Sequence, residues 1–196
     1  MGQARRSENG DVGAVYLTRD EIAARVAELG AEIGREYAGL DPLLVAPLKS
    51  SVVFLADLTR ALRIPHTLDV VELAPYTDGQ SGGVRLLKDV DAPLEDRHVL
   101  LVEDVVDTGL TLNFLCRTLG LRNPASIAAV SLLDRPYRRL VDELPLRFVG
   151  FTVPDELFAG YGLGLDERWR ALPDMHVLSS VGLPRAATEA ARRSQA

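Results

Sequence analysis

Cysteine is nearly missing from this chain, with one in 196 residues. A single thiol excludes an intramolecular disulfide framework and a cysteine-rich zinc site, and it suits a reducing compartment, so a cytoplasmic location is expected. No window holds the roughly 18 uninterrupted apolar residues of a membrane-spanning helix, and the polar opening MGQARRSENGDVG is expected to carry neither signal peptide nor anchor. Basic residues are outnumbered, 22 Lys and Arg against 28 Asp and Glu, for a formal charge of −6. That balance argues against non-specific binding to duplex DNA or an anionic membrane, and neither partner is expected. His66, His98 and His176 lack metal-ligand spacing. Internal repeats, low-complexity stretches and interdomain linkers are absent as well.

What is present is a 47% hydrophobic chain long enough to bury a core without staples. One domain is expected over 17–180, between a flexible segment 1–16 and a polar tail 181–196. Thr18 opens a capping-box pattern, and Ile22, Val26, Leu29, Ile33 and Tyr37 follow at helical spacing. Asp41-Pro42 ends that helix, 43–48 reads as a strand covered on both sides, and 52–62 reads as a second helix. Strands are expected over 66–73, 98–102, 127–133 and finally 148–153, with a helix over 110–119. Apolar runs alternating with helices predict an α/β fold with a central parallel sheet, whose ligands sit at the carboxyl ends of the strands. The turn-rich stretch 75–88 reads either as a mobile lid or as a solvated hairpin tip. Cys116 falls on an apolar helical face, as a buried small side chain does.

The informative segment is Val99-Leu100-Leu101-Val102-Glu103-Asp104-Val105-Val106-Asp107-Thr108-Gly109-Leu110-Thr111. An apolar strand delivers two adjacent carboxylates at its end, and Asp107 then opens a loop ahead of a helix. Gly109 permits a sharp turn and close backbone approach, Thr108 and Thr111 offer hydroxyls, and the helix start presents N–H groups: together these make an anion cradle. Carboxylates beside an anion make sense when a divalent cation or a sugar's hydroxyl pair lies between them. No Gly-Lys-Ser/Thr follows the strand, so this is not a P-loop.

This segment resembles the phosphoribosyl-diphosphate signature of type I phosphoribosyltransferases. Leu48-Lys49, Phe54-Leu55-Ala56-Asp57-Leu58, Ser81-Gly82-Gly83-Val84-Arg85, Leu132-Leu133-Asp134-Arg135-Pro136 and Val149-Gly150-Phe151 through Gly160-Tyr161 resemble the hypoxanthine-guanine branch. The resemblance implies a type I fold with a small hood and a flexible lid, phosphoribosyl diphosphate and a purine base as substrates, magnesium as cofactor, and a homodimer or homotetramer. It further implies that Glu103 and Asp104 hold the ribose hydroxyls directly or through magnesium, and that Asp107, Thr108, Gly109, Leu110 and Thr111 wrap the 5-phosphate. Lys49, after a turn that often carries a non-proline cis bond, offers its backbone to the diphosphate, to which Arg170 adds positive charge. Asp107 accepts the purine proton, and Tyr76 opens the lid of 76–88.

The same comparison exposes departures around the base. Arg135 stands where the family has a lysine that donates to the 6-oxo group. Leu157 replaces a stacking aromatic, with Phe158 next to it as either a shifted platform or a core residue. Gly164 stands where an aspartate serves the second metal, with Asp166 and Glu167 close behind. Ser50 replaces a glycine, and Pro75 a serine. Two alternatives to a hypoxanthine-guanine enzyme therefore stand: a transferase for a modified purine such as a 7-deazapurine, and a non-catalytic regulator that binds phosphoribosyl diphosphate.

Overall fold

The computed structural model describes residues 12–75, 84–165 and 167–178. In chain order the elements are β1 Val12–Leu17, α1 Arg19–Glu36, β2 Leu43–Leu48, α2 Val52–Ala61, β3 Thr67–Pro75 and β4 Val84–Lys88. There follow β5 His98–Val106, α3 Leu110–Gly120, β6 Ser126–Asp134, a 3-10 turn Pro136–Arg138, β7 Leu146–Thr152, β8 Phe158–Ala159 and β9 Met175–Leu178. They form two compact units, one spanning 20–155 and the other combining the two ends of the chain.

The larger unit is built on a six-stranded sheet in the order β4-β3-β2-β5-β6-β7, parallel except for the antiparallel edge strand β4. Leu43, Val45, Val99, Leu101 and Ala129 form one core with Leu112, Leu115 and Leu119 of α3. Alternation sends Leu44, Ala46, Leu100 and Val130 to the opposite face, where α2 packs on β2 and β5. There α1 crosses α2 so closely that a Cβ on Gly30 would lie 2.8 Å from that of Ala61. Both faces of the parallel strands are covered, which is why their sequences run nearly uninterruptedly apolar.

Chain order reverses beside β2: α2 carries the chain to β3 on one side, and β5 returns on the other. Such a reversal opens a crevice at the carboxyl ends. Here β2 and β5 pair from Leu43↔Val99 to Val45↔Leu101, then part, while β5 stays paired with β6 as far as Val106↔Asp134. Strand β5 thus runs past the expected end at residue 102, and Glu103 and Asp104 lie within it. Its ladder with β6 continues where its ladder with β2 stops, a register that hydropathy does not encode.

Two other expectations change. Residues 84–88 of the expected lid are strand β4: their partly buried positions alternate, and Leu86 packs on the core. Residues 12–16 of the expected flexible lead are part of β1, paired antiparallel with β9. In the smaller unit the sheet order is β1-β9-β8, so the strand expected last, over 148–153, is followed by two more.

Candidate active site

The acidic pair is buried, Glu103 being 4% and Asp104 6% exposed. Neighbouring residues of a strand face opposite ways, and the two carboxylates have different surroundings. Asp104 accepts hydrogen bonds from Ser51 Oγ at 3.2 Å, from the Ser50 hydroxyl, and from the backbone N–H groups of Asp104 and Val105. Burial pushes its carboxyl up, and these donors offset part of the rise. Glu103 Oε1 is buried with no hydrogen-bond partner among the described residues. Burial, with the charge of Asp104 second, pushes Glu103 up to about 8. Ser50 and Ser51 begin the turn after β2, where the Leu48–Lys49 peptide bond is cis and Lys49 is exposed.

A cavity of about 230 Å³ lies beside Glu103, walled by Val105, Asp107, Thr108, Thr111 and Leu112. Gly109 caps α3 at φ +82°, and a Cβ there would meet Leu144 Cδ1 at 2.6 Å. The left-handed turn calls for glycine, and a Cβ there would also push the Leu144 side chain aside. No acidic residue occupies the first turn of α3, so the positive end of that helix is left for an anion.

Residues 135–140 fold over this loop. Arg135 N donates to Val106 O at 3.0 Å and Leu140 N to Thr108 O at 2.9 Å. Asp107 then faces three arginines: Arg135 Nη1 lies 3.7 Å from Oδ2, Arg138 Nε lies 3.2 Å from Oδ1, and Arg139 Nη1 donates to its carbonyl at 3.1 Å. Arg139 also pairs with Asp134. Sequence reasoning found Arg135 but missed Arg138 and Arg139. Three arginines within five positions of a net acidic chain were the available signal.

The other expected residues belong to the smaller unit. Phe158 is buried, its ring 4.9 Å from that of Tyr16, whereas Leu157 is exposed. Phe158 is thereby part of a core, and the side chain presented at this place is Leu157. Arg170 donates to Gly162 O at 2.9 Å and pairs with Glu167 at 3.1 Å, while its Nε is buried without a hydrogen bond among the described residues. A Cβ on Gly164 would meet Arg168 O at 2.4 Å and Arg170 Cγ at 2.7 Å, so this backbone has no room for an aspartate. Tyr76 and Asp166 lie outside the described residues.

No group of three or more His, Cys, Asp or Glu side chains is placed to hold a metal among the described residues. The pair at 103–104 nevertheless fits magnesium, which takes one or two carboxylates and completes its shell with water and substrate oxygens. The orphaned Glu103 Oε1 is the atom such an ion would satisfy.

The chain is similar to known proteins along most of its length. The phosphoribosyl transferase domain family matches residues 15–162. A hypoxanthine-guanine phosphoribosyltransferase of Mycobacterium tuberculosis is 42% identical over 179 residues, covering 87% of this chain and 88% of that protein. A hypoxanthine phosphoribosyltransferase of Salmonella typhimurium is 44% identical over 163 residues, covering 81% and 91%. The crystal structure of a hypoxanthine phosphoribosyltransferase from Staphylococcus aureus superposes with a TM-score of 0.85 at 32% identity, covering 93% of this chain and all of that one.

Proposed function

This chain belongs to the phosphoribosyl transferase family, and on that premise we propose how its residues work as a purine phosphoribosyltransferase of the hypoxanthine-guanine kind. The anomeric carbon of phosphoribosyl diphosphate loses its bond to diphosphate and gains one to a ring nitrogen of the base. A nucleoside 5-monophosphate and diphosphate result. The 5-phosphate takes the cradle of Asp107, Thr108, Gly109, Leu110 and Thr111 at the start of α3, where the glycine turn lets N–H groups close on it. Glu103 and Asp104 receive the ribose hydroxyls, and Lys49 offers its backbone to the diphosphate; Arg170 retains the same ligand. Glu103 and Asp104 would hold magnesium, which would supply positive charge against the departing diphosphate.

As the base nitrogen attacks, the imidazole proton on the other ring nitrogen passes to an oxygen of Asp107. Arg135 donates from its guanidinium to the exocyclic oxygen of the base, a planar fork in place of a point charge. Leu157 gives the base an apolar contact in place of a stacking ring. The observation that carries the reading is β5 itself: beyond its ladder with β2 it carries two buried carboxylates, one with an oxygen unbonded among the described residues, beside a cavity capped by a helix start. The lone cysteine supports a cytoplasmic setting, and the resemblance to the hypoxanthine-guanine branch supports self-assembly into a dimer or tetramer.

The test is diphosphate release with magnesium and phosphoribosyl diphosphate against hypoxanthine, guanine, xanthine, adenine and 7-cyano-7-deazaguanine. Turnover of hypoxanthine or guanine, reduced on the order of 100-fold or more in Asp107→Asn, is the expected result. Turnover of the deazapurine alone would assign a modified base, and donor binding without turnover of any base would assign a regulator.

A further inference from the structure

Asp107 is not held symmetrically. Its Oδ1 is sealed from solvent and accepts no hydrogen bond among the described residues; its neighbour is Arg138 Nε, 3.2 Å away as an ion pair, whereas Oδ2 lies on the side of Arg135, 3.7 Å from Nη1. Arg138 has a second partner: its Nη1 donates to Asp155 Oδ1 at 2.9 Å. One guanidinium therefore spans two carboxylates at different strand ends, Asp107 after β5 and Asp155 after β7. The far end of this bridge is itself anchored, because Val153 N donates to Asp134 O at 3.0 Å and Tyr137 Oη donates to Val153 O at 2.5 Å. Arg139 meanwhile holds the backbone carbonyl of Asp107.

We propose that Arg138, backed by Asp155, is a positioning residue for Asp107: it retains Oδ1, so that Oδ2, on the Arg135 side, is the oxygen that receives the purine proton. The inference rests on the proton role assigned to Asp107 above. A guanidinium suits this task because one edge makes a directed bond to Asp155 while its delocalised charge lies beside Asp107 Oδ1, where an ammonium acts as a single point. Stabilising the fold is not the main effect of the bridge: the side chains of Arg138, Asp107 and Asp155 are 30%, 33% and 53% exposed, and ion pairs so open to water add little. The cost of losing it falls on geometry, since misplacing a reacting oxygen by a fraction of its contact distance slows a proton transfer steeply.

The experiment compares Arg138→Gln, Arg138→Lys, Asp155→Asn, Asp107→Asn and the double variant Asp107→Asn/Arg138→Gln in the full chain, with magnesium and both substrates. Arg138→Gln is expected to lower kcat on the order of 10–100-fold while KM for phosphoribosyl diphosphate stays within about twofold. Arg138→Lys should recover part of the loss, and Asp155→Asn should lose less than Arg138→Gln. In the Asp107→Asn background, Arg138→Gln should cost nothing further, because the two act as one unit. An unchanged kcat in Arg138→Gln, a rise in donor KM without a fall in kcat, or full additivity in the double variant would each overturn the proposal. If Asp107→Asn itself keeps its full kcat, the proton role of Asp107 falls. A large loss in Asp107→Asn with none in Arg138→Gln removes this inference alone.

Discussion

Glu103 sits in β5 almost without contact to water, and burial with the adjacent Asp104 pushes its carboxyl up to about 8 from an ordinary 4.5. Between those values the folded protein keeps a proton that the unfolded chain has released. Its contribution to stability is therefore fullest at low pH and is lost as pH rises toward 8. Without divalent cations the melting temperature should fall over this window, and Glu103→Gln should flatten the fall; parallel wild-type and variant curves would mean that another group is responsible. Magnesium at pH 8 should raise the wild-type melting temperature more than that of the variant. At this scale the signature was legible because Glu103 through Thr111 are contiguous: a strand, a turn and a helix start need no distant partner to be recognised. Ser51 and Arg138 were not legible, since what they do depends on which residue of another strand end they meet. Gly164 was legible only as a missing carboxylate; the backbone shows that a side chain there would collide with Arg168 O.

Among the elements, α3 and β3 make two separate commitments. The start of α3 depends on Gly109, left-handed and tight against Leu144. Gly109→Ala should destabilise the protein by about 1–3 kcal/mol and raise KM for phosphoribosyl diphosphate more than KM for the base, checked by denaturant unfolding and steady-state kinetics. Strand β3 carries Asp69, which accepts N–H bonds from Val70, Asp91 and Ala92 at 2.7, 2.8 and 3.1 Å and an ion pair from Lys88 of β4 at 3.3 Å. Burial raises its pKa, and these donors outweigh that and hold it below the ordinary 3.8. Its stabilisation is therefore present above that value and lost as pH falls through the depressed one. Asp69→Asn should cost about 1–3 kcal/mol at pH 7 and reduce the acid sensitivity of unfolding. The long elements could be read from periodicity, which a helix of 18 residues or a doubly covered strand displays plainly. Strand β8 has two residues, too few for any period; only its pairing with β9 makes it a strand.

For the whole molecule, the single cysteine doubles as a probe. Cys116 lies on α3 against the core, and burial followed by the charge of Glu103 pushes its thiol up to about 11. At pH 8 that leaves roughly one thiolate in a thousand, so modification by a disulfide reagent should be on the order of 100-fold slower than for a free thiol. Denaturant should accelerate it with the same midpoint as global unfolding; fast labelling of the native protein would show that α3 opens locally.

The amino-acid sequence by itself determined the alternation of strands and helices, the covered parallel sheet, the nine-residue sugar-phosphate signature and the family, because all of these reside in local pattern and contiguous residues. Tertiary structure alone decided that β2 and β5 separate before their ends, that Ser51 reaches Asp104 across 53 positions, and that Arg139 reaches the Asp107 carbonyl across 32. The reason is geometric: a crossover sheet brings together strand ends far apart in the chain, and hydrophobic periodicity states which face a residue takes but not the register at which its neighbour stops.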